Sequence, residues 1–231
     1  MVDRLAATGI DLARQPIEVA PIAHYHMGGI RVNDTLESGI AGLFACGEAI
    51  GGANGANRLS GNAITETFVF GARAGHHAAL RAMQRPMPLP DVSGPAVDFL
   101  RSAEQRDAPN TAASIASLQA LMSDNVGPFR TADGLRIAID RLADLSRDVG
   151  DRPLTSSSGG FDPVLIDWLD LRNMLLVARA VALPALARTE SRGAHQREDH
   201  PGLDDGWQFN QIVDMTDDGL NIRRAKEMVT A

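Results

Sequence analysis

A glycine-rich loop between a short apolar run and a long helical pattern most constrains the fold of this chain. The loop, residues 47–62, reads GEAIGGANGANRLSGN and follows an apolar run at residues 40–46. A short apolar run closed by glycine is typical of a strand that is buried on both faces of a layered sheet. Asn62 is a suitable N-cap, and apolar side chains at four-residue spacing after it predict a helix over residues 63–83. The sequence therefore predicts one strand, loop and helix unit.

Hydrophobic periodicity also organises the rest of the chain. Residues 2–13 fit a short amphipathic helix, and residues 17–32 contain strand-like stretches. Apolar stripes at helical spacing predict a bundle of three helices. The stripes are Ile115, Leu118 and Met122, then Leu135, Ile139 and Leu142, and then Val164, Trp168, Leu171, Leu175, Ala178 and Ala182.

Breaks between these segments are indicated by proline. Residues 84–95 contain four prolines and are typical of a linker. Pro184 is expected to kink or end the last helix of the bundle. One strand is expected at residues 208–213, within an otherwise charged and irregular tail.

Composition excludes several classes of function. The chain has 231 residues, a net charge of -7 and 44% hydrophobic residues, so it can bury a core but does not favour nucleic acid or an anionic membrane surface. Cys46 is the only cysteine, which excludes an internal disulfide and a cysteine metal site and indicates a reducing compartment. No uninterrupted apolar run approaches the ~18 residues of a membrane span.

The segment HYHMGG, residues 24–29, carries the first candidate side chain. Its two glycines would let a ligand or another backbone segment come close to His24. A lone strand histidine is more often structural than catalytic, so the pattern by itself leaves both interpretations open. His26 lies on the same strand face, but no suitable third ligand stands nearby, and we expect no metal site.

Arg58 is the second candidate, and it lies within the glycine-rich loop. In one interpretation the glycines form a compact turn and Arg58 pairs with an acidic neighbour. In the favoured interpretation, the guanidinium forks onto a carboxylate, a geometry that arginine provides better than lysine. The positive end of the following helix would face the same region, which suits an anionic ligand such as a reduced flavin ring.

Two further charged groups complete the candidates. Glu48 directly follows the apolar run, where acidic residues of dinucleotide folds accept hydrogen bonds from ribose; the alternative is an ordinary surface glutamate. Residues 188–199, RTESRGAHQRED, carry charges of both signs. For these residues we favour an intramolecular salt-bridge network over a ligand site.

Three ordered motifs resemble flavoprotein subunits of succinate dehydrogenase and fumarate reductase, a superfamily that includes L-aspartate oxidase. Residues 24–29 resemble the HYxMGG segment, residues 42–48 the GLFAxGE strand and residues 55–62 the GANRLxGN loop. Further similar segments are FGARAG at 70–75, LRNM at 171–174 and ESRGAHQRED at 190–199. The resemblance covers nearly the whole chain and identifies it as the C-terminal part of such a flavoprotein.

This resemblance implies an FAD-dependent oxidoreductase that interconverts succinate and fumarate, two C4 dicarboxylates. L-aspartate oxidase is the alternative activity, and a helical module that docks on a separate FAD-binding polypeptide is the non-catalytic alternative. His24 and Arg58 would hold the substrate carboxylates, and Glu48 would hold the FAD ribose. The residues implied at the flavin ring, where the helix starts, are Asn62, Ala63 and Ile64.

The chain departs from the family pattern at two positions and in one motif. Asn54 stands where the family usually has histidine, and Ala63 stands where many members have serine. A G-x-G-x-x-G turn is not found, so we expect poor FAD affinity of this chain alone. The proton-transferring arginine of the family, and the histidine that binds FAD covalently in some members, belong upstream of the HYxMGG segment.

The implied fold class is α+β, mostly helical, with a partial FAD-binding sheet and helix followed by a C-terminal helical bundle. The implied partner is an iron–sulfur electron-transfer subunit or an upstream FAD-binding polypeptide, in the cytoplasm or peripheral to its membrane. The expected division is a capping-domain remnant at 1–16, the end of the FAD-binding domain at 17–83, the linker at 84–95, the bundle at 96–190 and a tail at 191–231.

Overall fold

The computed structural model describes residues 2–19, 24–84, 93–105, 110–156, 161–217 and 219–225. Its helices are α1 (Val2–Ala6), α2 (Asn62–Gln84), α3 (Ser93–Arg101), α4 (Thr111–Asn125), α5 (Ala132–Val149) and α6 (Pro163–Ala187). Its strands are β1 (Phe129–Arg130), β2 (Gln196–Arg197), β3 (Gln211–Thr216) and β4 (Gly219–Arg224). The fold is therefore α+β and mostly helical, as the sequence predicts.

Helices α4, α5 and α6 share one hydrophobic core, and the predicted bundle is confirmed. Leu118 of α4, Leu142 of α5 and Trp168 of α6 are all buried in it. Trp168 donates its Nε1–H to the carbonyl of Val149 at 3.2 Å, so the one polar group of the indole is satisfied. Burial of each such side chain stabilises the folded state by roughly 2–3 kcal/mol.

Side chains cap the starts of the bundle helices. Asn110 accepts the Ala113 amide before α4, and Thr131 accepts the Gly134 amide before α5. Asp162 accepts the Val164 amide at 3.0 Å before α6. The hydroxyl of Thr155 also donates to Asp162, and this bond holds the pKa of the Asp162 carboxyl well below its usual range. These caps satisfy amide groups that have no partner within the helix.

The two small sheets lie beside the bundle. Strand β1 pairs in parallel with β2, and Phe129 and Gln196 are partners in this register. Strands β3 and β4 form an antiparallel hairpin in which Val213 faces Ile222. The strand predicted at residues 208–213 corresponds to β3, but the sequence did not predict its partner β4.

The first sixty residues contain less regular structure than the sequence predicts. The helix predicted over residues 2–13 ends at Ala6, where turns begin. The strand predicted at residues 40–46 is wrong, since Ile40 is 67% exposed and Phe44 makes only an isolated bridge to Glu37. A strand buried on both faces needs paired strands on either side, whereas here only residues 36–38 pair with the segment, through the Ser38 amide to the Leu43 carbonyl and the Ala45 amide to the Leu36 carbonyl.

Three other boundaries also differ from expectation. Asn62 is the first residue of α2 and makes no side-chain cap among the described hydrogen bonds. Residues 85–92 of the predicted linker lie outside the described residues, and its last three residues belong to α3. Helix α6 continues through Pro184 to Ala187, so this proline does not end it.

Helix α2 buries one side and exposes apolar side chains on another. Ala74 is buried, and the helix packs against a 3-10 turn at residues 47–49. In contrast, Phe68 is 74% exposed and Met83 is 80% exposed. No helix of the described part of the chain is long and apolar enough to cross a membrane.

Candidate functional site

The HYHMGG segment lies alongside the start of the glycine-rich loop. The Ile30 amide donates to the Ala49 carbonyl at 2.8 Å, and the Gly51 amide donates to the Ile30 carbonyl at 3.2 Å. A Cβ on Gly29 would lie 2.5 Å from the Ala49 oxygen, so only glycine permits this approach. Two motifs that are separate in sequence are thereby held side by side.

Glu48 lies where these two segments meet. Its Oε1 accepts the amide of His26 at 2.8 Å, and the residue is exposed. A carboxylate accepts several hydrogen bonds at once, so the second oxygen remains able to accept from a ligand hydroxyl.

Arg58 stacks on an aromatic ring rather than pairing with an acid. Its Cζ lies 4.4 Å from the centre of the Tyr25 ring, which is a cation–π contact. Its Nε is buried without a hydrogen-bond partner, and no ion pair of the described residues involves Arg58. The acidic neighbour that the compact-turn interpretation requires is therefore not found in the described part of the chain. The guanidinium keeps its capacity to bind a carboxylate.

A cluster of three polar side chains, Tyr25, Asn54 and Glu66, supports this arginine. The Tyr25 hydroxyl donates to Glu66 Oε2 at 2.9 Å, and Asn54 Nδ2 donates to the same oxygen at 2.8 Å. Asn54 Nδ2 also lies 3.0 Å from the Tyr25 hydroxyl oxygen. Burial, together with Glu66, raises the pKa of Tyr25, so its hydroxyl stays protonated at neutral pH. Sequence reasoning missed this cluster, although Glu66 is a charged side chain one turn into α2.

The C-terminal part of the chain contacts the Arg58 loop directly. The Ala194 amide donates to the Ala56 carbonyl at 2.9 Å. A Cβ on Gly193 would lie 2.3 Å from the same carbonyl oxygen, and Gly193 has a φ of +58°. Both the left-handed backbone and the close approach require glycine here. The segment at residues 190–199 therefore sets the position of Ala56, two residues before Arg58.

The predicted salt-bridge network in residues 188–199 is confirmed. Glu190 is fully buried between Arg188 at 2.5 Å and Arg192 at 2.7 Å. Arg197, 2% exposed, pairs with Asp199 at 2.7 Å. Its Nη1 also donates to three carbonyl oxygens at the C-terminal end of α6, those of Ala185, Leu186 and Arg188.

His195 is neutral within this network. Burial, and then the nearby Arg130 guanidinium, lower its pKa to about 4. Arg130 Nη1 lies 2.8 Å from His195 Nδ1. Since a guanidinium can only donate, Nδ1 accepts this hydrogen bond. His195 is therefore a structural acceptor at neutral pH.

Acid is expected to destabilise the protein partly through Glu190. Burial raises the pKa of Glu190, but hydrogen bonds from Arg192, the Asp204 amide and Arg188 outweigh this and hold it at about 2. A depressed carboxyl pKa contributes stability above the unfolded-state value near 4.5, and this stability is lost as the pH falls towards 2. The melting temperature of Glu190→Gln should be lower at pH 7 and fall less steeply between these pH values. Equal slopes for the variant and the wild type would contradict the assignment.

The predicted site residues occupy two neighbouring regions. One is the Arg58 loop with the start of α2, and the other is the His24 segment with Glu48. Arg58 lies four residues before the start of α2, which contains Asn62, Ala63 and Ile64. His24 is exposed and directly precedes Tyr25, whose ring forms the platform on which the Arg58 guanidinium stacks. Among the described residues, no group of three potential metal ligands occurs.

Comparison with known proteins identifies the family to which this chain is similar. The FAD binding domain family matches residues 2–64, and the fumarate reductase flavoprotein C-terminal family matches residues 115–230, half of the chain. The chain belongs to this flavoprotein family. The likeness thus extends over both the site loops and the helical bundle.

Two curated relatives and one solved structure illustrate the similarity. One polypeptide of the fumarate reductase (CoM/CoB) of Methanothermobacter marburgensis is 39% identical over 89% of this chain and 38% of its own length. L-aspartate oxidase of Rhodospirillum rubrum is 39% identical over 86% of this chain and 63% of the relative. Quinol fumarate reductase of E. coli superposes with a TM-score of 0.83 at 31% identity, over 98% of this chain and 40% of that chain. The chain thus spans only part of its relatives.

FAD is the cofactor that the flavoprotein family implies, and the residues present fit part of it. Glu48 has a carboxylate oxygen that can accept from a ribose hydroxyl. The Asn62 and Ile64 amides donate to the Leu59 and Gly61 carbonyls at 3.3 Å, so it is the positive end of α2, a helix of 23 residues, that suits the electron-rich edge of a flavin. The donor set therefore fits the ribose and ring portions of the cofactor.

Proposed function

We propose that this chain forms part of the active site of an FAD-dependent oxidoreductase that interconverts succinate and fumarate. The observation that supports it best is the Arg58 guanidinium, which forms no ion pair with any described residue, lies 4.4 Å from the centre of the Tyr25 ring and stands just before α2. An arginine without an acidic partner, beside the positive end of a helix, is suited to an anionic ligand.

Each residue has a binding or orienting role in this proposal. Arg58 forks onto one carboxylate of the substrate, and His24 donates a hydrogen bond to the other. Glu48 would hold the ribose of FAD, and the start of α2, from Asn62 to Ile64, would hold the ring. FAD, when bound, supplies the two-electron exchange at the central carbon–carbon bond. Arg58 and His24 also withdraw electron density from that bond by binding the carboxylates.

The proposed domain organisation follows from the same assignment. Residues 17–83 complete an FAD-binding domain, residues 96–190 form the helical bundle, and residues 1–16 belong to a capping domain. The exposed Phe68 and Met83 side chains of α2 fit a surface on which the remainder of the FAD-binding domain packs. Further parts of the proposal are attachment at the membrane surface through partners and electron transfer through an iron–sulfur subunit.

L-aspartate oxidase activity is the second candidate, favoured by the similarity to the Rhodospirillum rubrum enzyme. The same Arg58 guanidinium would bind either the α-carboxylate or the β-carboxylate of L-aspartate. Competition between fumarate and L-aspartate for the purified protein distinguishes the two activities, since the preferred substrate binds more tightly.

Replacing Arg58 by alanine is expected to weaken fumarate binding by about 100-fold, because two charge-assisted hydrogen bonds are lost. Arg58→Lys retains the charge but not the fork and should fall between the wild type and alanine. Fumarate affinity is measured by calorimetry on the purified protein, with and without FAD.

The matched control for this experiment is Arg136→Ala. Arg136 lies on α5 with an exposed side chain and forms a surface pair with Asp133. This variant should bind fumarate as the wild type does. Wild-type affinity in Arg58→Ala, with its melting temperature unchanged, would refute the proposed function.

A further inference from the structure

Glu66 has an environment that calls for an explanation beyond helix packing. It is 8% exposed, and its Oε1 is buried without a hydrogen-bond partner. No Lys, Arg or His among the described residues forms an ion pair with it. A buried carboxylate without a cation is costly to the fold, which is why such groups are usually paired or replaced.

The contacts of Glu66 lead to Arg58. Its Oε2 accepts both the Tyr25 hydroxyl and the Asn54 amide, at 2.9 and 2.8 Å. These two bonds restrain the Tyr25 ring and hold Asn54, in the middle of the glycine-rich loop. The Tyr25 ring in turn carries the Arg58 guanidinium. One carboxylate thus orients both the platform of Arg58 and the loop from which Arg58 projects.

Electrostatics favours the same arrangement. A phenol that donates to a carboxylate gains electron density in its ring, and this strengthens the attraction of the ring for a cation. Arg58 is then held by the ring face and not by an acid, so its N–H groups are not consumed by an internal ion pair. A direct Glu–Arg pair would hold the guanidinium equally well but would compete with a substrate carboxylate.

We propose that Glu66 is a positioning residue that orients Arg58 through Tyr25 and Asn54 while leaving the guanidinium available to a substrate carboxylate. The proposal rests on the proposed function for the identity of the ligand. The orientation of Arg58 itself can be tested without any ligand.

The primary experiment is the Nε–H resonance of Arg58 in the ligand-free protein, assigned by its loss in Arg58→Ala. The Tyr25 ring current should shift this resonance from the position of a solvent-exposed arginine. In Glu66→Gln the resonance should move towards the exposed position, since the neutral amide holds the phenol and the loop less firmly. An unchanged Arg58 resonance in Glu66→Gln would overturn the proposal.

The control is Glu37→Gln, a carboxylate of the same part of the chain that pairs with Arg81 at 3.1 Å. It should leave the Arg58 resonance in place, so that a general loosening of the fold is excluded. An equal displacement of that resonance in Glu37→Gln would assign Glu66 a merely structural role. Tyr25→Phe keeps the ring and removes the hydroxyl, so it should displace the resonance as Glu66→Gln does.

A fumarate titration separates this proposal from the proposed function. Glu66→Gln is expected to lose roughly tenfold in fumarate affinity, and the double variant with Tyr25→Phe should lose little more because both changes act through one contact. Additive losses in the double variant would contradict action through Tyr25. If Arg58→Ala keeps wild-type fumarate affinity while Glu66→Gln moves the Arg58 resonance, the positioning role stands and the proposed function fails.

Discussion

Replacing Arg197 by methionine should lower the free energy of unfolding by about 3–4 kcal/mol. The Arg197 side chain satisfies Asp199 and three carbonyl groups at the end of α6 from a position that is only 2% exposed. Methionine fills a similar volume but donates no hydrogen bond, so buried carbonyl groups lose their partner. Urea unfolding followed by circular dichroism measures the loss.

An exposed arginine provides the control for this substitution. Arg147 lies on α5 with a side chain that is 75% exposed and pairs with Asp144. Arg147→Met should change the free energy of unfolding by less than about 0.5 kcal/mol, because surface pairs contribute little. Similar losses for the two variants would show that Arg197 is hydrated in solution rather than buried against α6.

Replacing Gly193 by alanine should destabilise the protein by roughly 3 kcal/mol and displace the Arg58 loop. The cost has two sources: the left-handed backbone, with φ at +58°, and a Cβ that would lie 2.3 Å from the Ala56 oxygen. Because Ala56 must move to relieve this overlap, the amide resonances of Ala56 to Arg58 should shift. Fumarate affinity should fall in parallel.

Gly202 separates the two sources of this cost. It also has a left-handed backbone, with φ at +91°, but a Cβ there would meet no atom within 4 Å. Gly202→Ala should therefore cost about 1 kcal/mol and leave the resonances of the Arg58 loop unchanged. If both variants behave alike, the contact between residues 190–199 and Ala56 does not position the loop.

The helical part of the fold was predictable because its signal is local. Leu118, Leu142 and Trp168 occur at helical spacing, and the helices that contain them need only each other to bury these side chains. The strand predicted at residues 40–46 failed for the opposite reason. An apolar run becomes a buried strand only with neighbours on both sides, and periodicity in one segment does not report those neighbours.

The candidate site was predictable only in part. Arg58 and Glu48 stand in motifs whose glycines and charges indicate a binding site even without knowledge of the fold. The cluster around Arg58 is different, since Tyr25 and Glu66 are 41 residues apart and meet only in the folded chain. The contact of Gly193 with Ala56 is more distant still. Such pairings are determined by tertiary packing, which single-sequence patterns do not encode.

The contact between Gly193 and Ala56 has a consequence for biosynthesis. The glycine-rich loop leaves the ribosome well before the segment that holds it, because that segment emerges only after the whole bundle has been made. At ordinary translation speeds this interval is on the order of ten seconds. During that time the nascent loop has no C-terminal contact to fix Ala56. Prematurely terminated polypeptides therefore present a glycine-rich loop without this contact, and under the proposed function we expect them to bind dicarboxylate more weakly than the finished chain.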